Sequence, residues 1–422
     1  MLEIPPAPVR QADYTHNVRI YLASSLLLSL TAAFGDATVL LPSLALRLDA
    51  PSWLVTLPLV VQMCVAYLPV LYLGWRMRAD WSRKRIYSIS CIATSLTLVL
   101  LIVPLMAGAS RNLLLVALVV SWLLFALIQG VGILPWWDLF ARLFPPAYRG
   151  RMLGMSNVIG QVVTVIAAGA AAWLISARSP LAYPQSYAAA LAIYVGGGIV
   201  YALFILRLRE PSPDPAVLAV AEPRPSLREY CAELRDTVSC DQAFAHTLMA
   251  SMVGATVMAV APLFLAFAQK HQGFSAEATN ALVFLRPLAV IPVALVAGYA
   301  SHRIRPHFVV AGIALAMLLG AGVAPWLQGR WQFLTLLLTG LSPLTYHFGL
   351  VSIMSHAPTE RTQHYLTIYY MGAIIPGTAP LIMGYLLDRM PIAAWAIAFT
   401  LMTATSFLFW RAGRYAVQSR HL

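Results

Sequence analysis

The sequence predicts an all-α membrane protein with twelve transmembrane helices in two pseudo-symmetric six-helix bundles. Three observations carry this. First, the 422-residue chain is 60% hydrophobic and only 10% charged, whereas a soluble domain carries about 25% charged residues. That leaves too few charges to clothe a water-facing surface, and a bilayer is the natural solvent for the rest. Second, the apolar residues gather into twelve segments, each near or above the roughly 20 residues that span as a helix. Third, loop patterns around the second and fifth segments return around the eighth and eleventh.

The segments run 18–47, 53–76, 86–109, 112–141, 150–176, 184–207, 242–269, 276–301, 306–328, 331–356, 362–388 and 391–413. The longer ones imply tilt or extension beyond the hydrocarbon. An even number of spans puts both termini on one side. Twenty-one of the 28 lysines and arginines fall on that side. The opposite loops hold only Arg47, Arg111, Arg178, Lys270, Arg330 and Arg389, and Arg286 is left inside a span. The richer face is therefore expected in the cytoplasm of a multi-pass protein of the cell membrane, with both termini inside.

The net charge of +12 does not point to nucleic acid, because the basic residues are divided among alternate loops rather than forming one patch. Cys64, Cys91, Cys231 and Cys240 show no metal-ligand spacing, and no disulfide is expected. Residues 1–17 are polar and the first apolar segment is too long for a signal-peptide core, so no cleavable leader is expected.

The one long loop, 208–241, separates an N-terminal bundle (18–207) from a C-terminal bundle (242–413), with terminal segments 1–17 and 414–422 on the cytoplasmic side. It opens Pro-rich, Glu210-Pro-Ser-Pro-Asp-Pro215. Ser226-Leu-Arg-Glu229 then reads as a capping box. Leu227, Tyr230, Cys231, Leu234 and Val238 follow at helical spacing. The spacing predicts a flexible connector leading into a short amphipathic helix.

The repeated loops are specific. Gly74-Trp-Arg-Met-Arg-Ala-Asp-Trp-Ser-Arg-Lys-Arg85 follows span 2, and Gly298-Tyr-Ala-Ser-His-Arg-Ile-Arg-Pro306 follows span 8. Pro146-Ala-Tyr-Arg149 opens span 5 with Gly160 eleven residues later, and Pro358-Thr-Glu-Arg361 opens span 11 with Gly372 at the same offset. Such matching is expected of parallel repeats in a secondary transporter. On these loops, and on span number and topology, nearly the whole chain resembles the major facilitator superfamily. The loop after span 2 keeps the family's Asp80 and Arg83-Lys84-Arg85, with altered spacing, Trp81 near an expected basic position and the intervening glycine missing. The second copy has Ser301 where an acid often stands. Arg149-Gly150-Arg151 with Gly154 is similar to the family's loop before span 5.

The resemblance implies a central cavity lined by spans 1, 4, 7 and 10, with 2, 5, 8 and 11 beside them. Asp36 in span 1 lies eleven residues from Arg47, roughly 16 Å deep at 1.5 Å per residue. Arg286 in span 8 lies at similar depth. Charges inside a span are costly and mark function by default. Asp36 is expected to take up a proton, and Arg286 to hold either Asp36 or an anionic substrate. The competing reading is a permanent ion pair. Gln62, Gln129, Asn157, Gln161, Tyr346 and His347 are further cavity candidates. Interhelical bonding is the competing reading for the amides and for Tyr346.

At the basic face, Asp80, Arg83, Lys84, Arg85, Asp138, Arg149, Arg151 and Arg361 are the expected cytoplasmic gate. Asp138 is expected to bridge to Arg149 or Arg85, and Asp80 to meet the N-terminus of span 11. The adjoining Trp136 and Trp137 read as interfacial anchors. Pro343, Gly372, Pro376, Gly377 and Pro380 punctuate spans 10 and 11 with potential bends.

No cluster of catalytic groups and no HExxH, P-loop or GxGxxG motif in its proper context is present, which disfavours an enzyme. No cofactor or metal is expected. The function implied is secondary active transport of a small solute by alternating access, coupled to protons, by a monomer in the lipid bilayer. A proton-antiport drug or metabolite efflux pump and a non-transporting sensor or scaffold on the same fold are the alternatives. Span 5 lacks the proline-containing pattern of family antiporters.

Overall fold

A computed structural model describes residues 11–35, 40–50, 60–62, 64–78, 80–176, 179–211, 225–260, 276–323, 337–357 and 361–418. The described residues are helical apart from turns and short connections. They form two compact units, Met1–Phe144 with Ile159–Glu222 and Pro145–Val158 with Pro223–Leu422. The opening half of span 5 thus clusters with the second unit.

In the first unit, α1 (Gln11–Ala32) begins in the polar terminal segment and runs into the first apolar segment, and α2 (Leu40–Arg47) closes that segment. They are followed by α3 (Leu68–Arg76), α4 (Arg83–Thr97), α5 (Val99–Met106), α6 (Arg111–Leu143), the later part of α7 (Pro146–Ile175) and α8 (Gln185–Ile205). The third span is one apolar segment in sequence but two helices in space, joined at Leu98. The second unit holds the start of α7, then α9 (Leu227–Cys240), α10 (Gln242–Val260), α11 (Ala276–Arg303), α12 (Pro306–Val323), α13 (Ser342–His356), α14 (Thr362–Gly377), α15 (Ala379–Arg389) and α16 (Pro391–Gln418). Span 11 breaks between α14 and α15 at Thr378, beside Pro376 and Pro380, neither of which can continue the backbone ladder normally.

Packing repeats between the halves. In the first unit α4 packs on α6 and α8, and α1 on α8. In the second, α12 packs on α13 and α16, and α10 on α16. By span, the pairs 3–4, 3–6 and 1–6 recur as 9–10, 9–12 and 7–12.

Small and hydroxyl residues permit these close crossings. Ser90 on α4 donates to the Ile128 carbonyl of α6 at 2.6 Å. Ser406 on α16 donates to the Ala311 carbonyl of α12 at 2.9 Å. Apolar side chains point outward as freely as inward: Ile166, Val296, Ile375 and Ile392 are 67–79% exposed. In water that would be untenable over so many helices, whereas lipid tails accept it.

Candidate functional site

The densest polar arrangement in the first unit lies at the arginine-rich end of α4. Ser82 is its N-cap, and Arg83 and Lys84 open the helix. The first amides of any helix lack intrahelical partners. Here the carboxylate of Glu210, beyond the end of α8, supplies one. It accepts from Ser82 Oγ at 2.9 Å and from the Arg83 amide at 3.0 Å. Lys84 Nζ reaches the same strip of chain, donating to the Leu208 carbonyl at 2.8 Å.

The side chain of Arg83 turns inward. Its Nε donates to Asp138 Oδ2 at 2.6 Å, and Nη1 donates to the carbonyls of Arg78 and Trp81. Arg142, one turn beyond Asp138 on α6, approaches the same carboxylate oxygen at 3.1 Å. Arg83 and Asp138 are almost wholly buried, 1% and 2% exposed. One acid therefore holds two guanidinium groups, one from its own helix and one from α4. The start of α1 joins through Asn17, which exchanges two hydrogen bonds with the Arg209 backbone, and through an Asp13–Arg209 ion pair at 2.7 Å.

This differs from the expected bridges of Asp138 to Arg85 or Arg149. Arg85 lies on the exposed side of α4, whereas Arg83, two residues earlier, faces α6. Arg149, buried to 3% exposure, donates to the Met354 carbonyl at 3.2 Å. Asp80 pairs with Arg78 Nε at 3.0 Å, both near half exposed, where an ion pair adds little. Arg142 and Glu210 were not among the sequence candidates. The i,i+4 spacing of Asp138 and Arg142 is the signal that could have found the first.

The tryptophans beside Asp138 also depart from the sequence reading. Trp137 is 7% exposed and packs on Phe140. Trp136 is stacked on Tyr87, 4.7 Å between centroids, and on Tyr21, 6.0 Å. The Tyr87 and Tyr201 hydroxyls meet at 2.8 Å. These rings tie spans 1, 3, 4 and 6 into an inward-facing cluster instead of anchoring the chain at the lipid surface.

In the second unit, Gly154 of α7 crosses Gly298 of α11. A Cβ at Gly154 would lie 2.7 Å from Gly298 Cα and 2.8 Å from the Ala294 oxygen. A Cβ at Gly150 would strike Ser301. The matching loops thus place small residues where two backbones nearly touch. Asn157 bonds to the Leu153 carbonyl on its own helix at 2.8 Å. Arg151 is half-buried and Arg361 exposed.

Tyr346 and His347, both partly buried, lie on α13. The Tyr346 hydroxyl meets that of Tyr370 on α14 at 3.2 Å, and Tyr369 lies beside both rings. Tyr369 and Tyr370 escaped the sequence reading because they sit within an aromatic-rich apolar stretch with no polar flag. Gln62, Gln129 and Gln161 are all partly buried on their spans. Arg286 is carried by α11, just before Pro287. Asp36 lies outside the described residues.

The helix α9 docks on the start of α14. Ser226 and Glu229 form a complete capping box. Tyr230, 2% exposed, donates towards Thr367 Oγ1 at 3.5 Å, and burial pushes its phenol up to about 12. Tyr365 donates to Asp241 Oδ2 at 3.2 Å, and His364 lies 3.8 Å from Glu233. The loop between the bundles therefore ends in a helix with a defined seat.

No curated protein matches the sequence. Solved structures do match the fold. The fucose:proton symporter of E. coli superposes with TM-score 0.73 at 14% identity, over 95% of this chain and 99% of that one. A bacterial homologue of the iron transporter ferroportin, in an outward-facing state, gives 0.69 at 13%, over 94% and 98%. A proton:xylose symporter gives 0.67 at 12%, over 96% of each. The family model of the Major Facilitator Superfamily matches residues 20–375. With twin packing patterns in its halves and this match over most of its length, the chain belongs to the major facilitator superfamily of membrane transporters.

Proposed function

We propose that the protein is a proton-coupled secondary active transporter that carries a small polar solute by alternating access. The observation that carries this is the buried Arg83–Asp138–Arg142 cluster capped by Glu210 at one end of the first bundle. Buried charges in a membrane protein are costly and serve a purpose. A set of directional ion pairs joining helix ends has two discrete states, made and broken, as a gate requires. The excess of arginine at this end supports a cytoplasmic position for it.

Asp36 is the proton acceptor in this reading, and Arg286 its partner or the clamp for an anionic group. A carboxyl in a dry site favours its neutral form, and an approaching guanidinium reverses that preference. Exchange of partner then links proton uptake to a change of state. Gln62, Gln129, Asn157, Gln161, Tyr346 and His347 offer hydrogen bonds to a polar solute. Asp80, Arg83, Lys84, Arg85, Asp138, Arg149, Arg151 and Arg361 form the inner gate, and the monomer is the working unit. Two of the fold relatives are, by name, proton symporters of fucose and xylose. A hydroxylated solute of monosaccharide size is accordingly the first class to test.

A thermal-shift screen of purified protein against monosaccharides, organic acids and amino acids identifies the ligand, since a bound ligand raises stability. The hit is then loaded in proteoliposomes with an imposed pH gradient. Uptake should follow the gradient in wild type and fail in Asp36→Asn. Uptake that ignores the gradient, or survives Asp36→Asn unchanged, rejects the coupling.

A further inference from the structure

Four arginines at the arginine-rich end of the spans share a local pattern. Each follows an aromatic residue by about one helical turn and holds its guanidinium carbon over that ring. Arg76 closes α3, 5.8 Å from the Tyr72 centroid and 4.3 Å from that of Trp75. Arg303 closes α11, 4.7 Å from Tyr299. Arg207 follows α8, 4.9 Å from Phe204, and Arg414, near the end of α16, is 5.1 Å from Trp410. All lie within the about 6 Å at which a ring face attracts a cation. These are the ends of spans 2 and 8 and of spans 6 and 12, so the pattern recurs at equivalent places in the two halves.

We propose that these four positions bind the headgroups of anionic phospholipids, one lipid to each arginine–aromatic pair. The rings face outward: Tyr299, Tyr72 and Trp410 are 59%, 58% and 44% exposed. Apolar side chains continue the same helix faces away from the charged end. Leu68 stands four residues before Tyr72, Leu295 four before Tyr299 and Phe407 three before Trp410, and each is more than half exposed. A stripe of this kind suits an acyl chain, a ring at the helix end suits the interfacial level above it, and the guanidinium meets the phosphate. A free inorganic anion would use only the last of these three features.

Charge selects the headgroup. Among the described residues none of the four arginines pairs with a carboxylate, and Arg76 Nε is buried there without a hydrogen-bond partner. The described acids at this end are engaged elsewhere. Asp13 holds Arg209, Asp80 holds Arg78, and Asp138 holds Arg83 and Arg142. Glu210 and Glu229 cap helices, Glu233 lies by His364, Asp236 by Arg235, and Asp241 accepts from Tyr365. A zwitterionic headgroup brings an ammonium with its phosphate, and no described carboxylate is left to receive it. A net-anionic headgroup brings only the charge that these arginines lack. Stacking on a ring also fixes the guanidinium plane, which readies its fork for two phosphate oxygens. Lysine carries the same charge with neither plane nor fork. That difference separates a built site from the general attraction of a basic protein end for an anionic surface.

Purified full-length protein is equilibrated in detergent with equal amounts of phosphatidylglycerol and phosphatidylcholine of the same acyl chains, and the retained lipids are counted by native mass spectrometry. Wild type should retain phosphatidylglycerol over phosphatidylcholine by about fivefold or more. Arg76→Lys, Arg207→Lys, Arg303→Lys and Arg414→Lys combined should lose most of that preference at unchanged net charge. Arg19→Lys, Arg228→Lys, Arg235→Lys and Arg411→Lys combined should keep it, since these exposed arginines of the same end lie over no ring among the described residues. Tyr299→Leu with Trp410→Leu, which keeps every arginine, should weaken it. A wild-type preference in the first lysine set overturns the proposal, and so does an equal loss in both sets. Displacement of the lipid by inorganic phosphate at matched concentration also overturns it, because an anion site has no use for the acyl stripe. If the first lysine set fails to fold, the leucine pair decides: an undiminished preference there overturns the proposal as well.

Discussion

Arg83 and Asp138 are joined by a 2.6 Å hydrogen-bonded ion pair that solvent scarcely reaches. A pair of this kind is fragile to half-removal. Asp138→Ala leaves the Arg83 guanidinium buried without its counter-ion, at a cost of about 3–5 kcal/mol. The double change Arg83→Met with Asp138→Leu should recover much of that loss, because Arg142 is 21% exposed and can turn to solvent. Thermal unfolding of Arg83→Met alone, Asp138→Leu alone and the double variant measures the coupling. If the double variant is as unstable as the sum of the singles, the pair is not an energetic unit.

Glu210 acts on a helix that begins more than a hundred residues earlier. Glu210→Ala strips the cap from α4 and should cost about 1 kcal/mol, typical of lost N-caps. Hydrogen exchange should show faster opening of the first turn, at Arg83 and Lys84, with the middle of α4 unaffected. Uniform change along α4 would contradict a capping role.

At the α7–α11 crossing, Gly154→Val has no room against Gly298 and Ala294. Overpacking of this sort costs about 1–3 kcal/mol. Gly169 on the same helix has open space where its Cβ would be. Gly169→Val should therefore leave the melting temperature within experimental error, and equal effects at the two positions would refute the close approach.

The capping box of α9 carries its own pH dependence. Hydrogen bonds from the Ser226 backbone and then its side chain hold the Glu229 carboxyl below its ordinary value of 4.5. A group whose folded value is depressed stabilises fully above the ordinary value and loses that contribution as pH falls through the folded one. Protection of α9 against hydrogen exchange, corrected for intrinsic rates, should thus hold from pH 7 to about 5 and drop below 4.5. In Ser226→Ala that acid step should shrink. The same step in both proteins would place its origin elsewhere.

The helices and this capping box were legible because hydrophobic period and local hydrogen bonding are written into adjacent residues. Ser226 and Glu229 are three positions apart, and their bond needs no tertiary information. Asp138 was legible as an acid among the basic residues at this end of span 4, but its main partner, Arg83, was not. Arg83, Lys84 and Arg85 are equivalent as charges, and only the helical phase of α4 decides that Arg83 faces inward. Glu210 stood at the head of a proline-rich connector and carried no sign of its target. Trp136 and Trp137 misled because an aromatic near a helix end serves interface and core equally well until its neighbours are known.

The connector between the bundles is fastened at both margins, by Glu210 on α4 and by α9 on α14. The chain between Glu210 and Ser226 can then be regarded as a tether, at most roughly 55 Å long at about 3.4 Å per residue. Cutting it between Pro215 and Pro223 would leave Glu210 with the first half and the docked helix with the second. The two fragments, made together, should reassemble into a working carrier, as split proteins do when the break spares the fasteners.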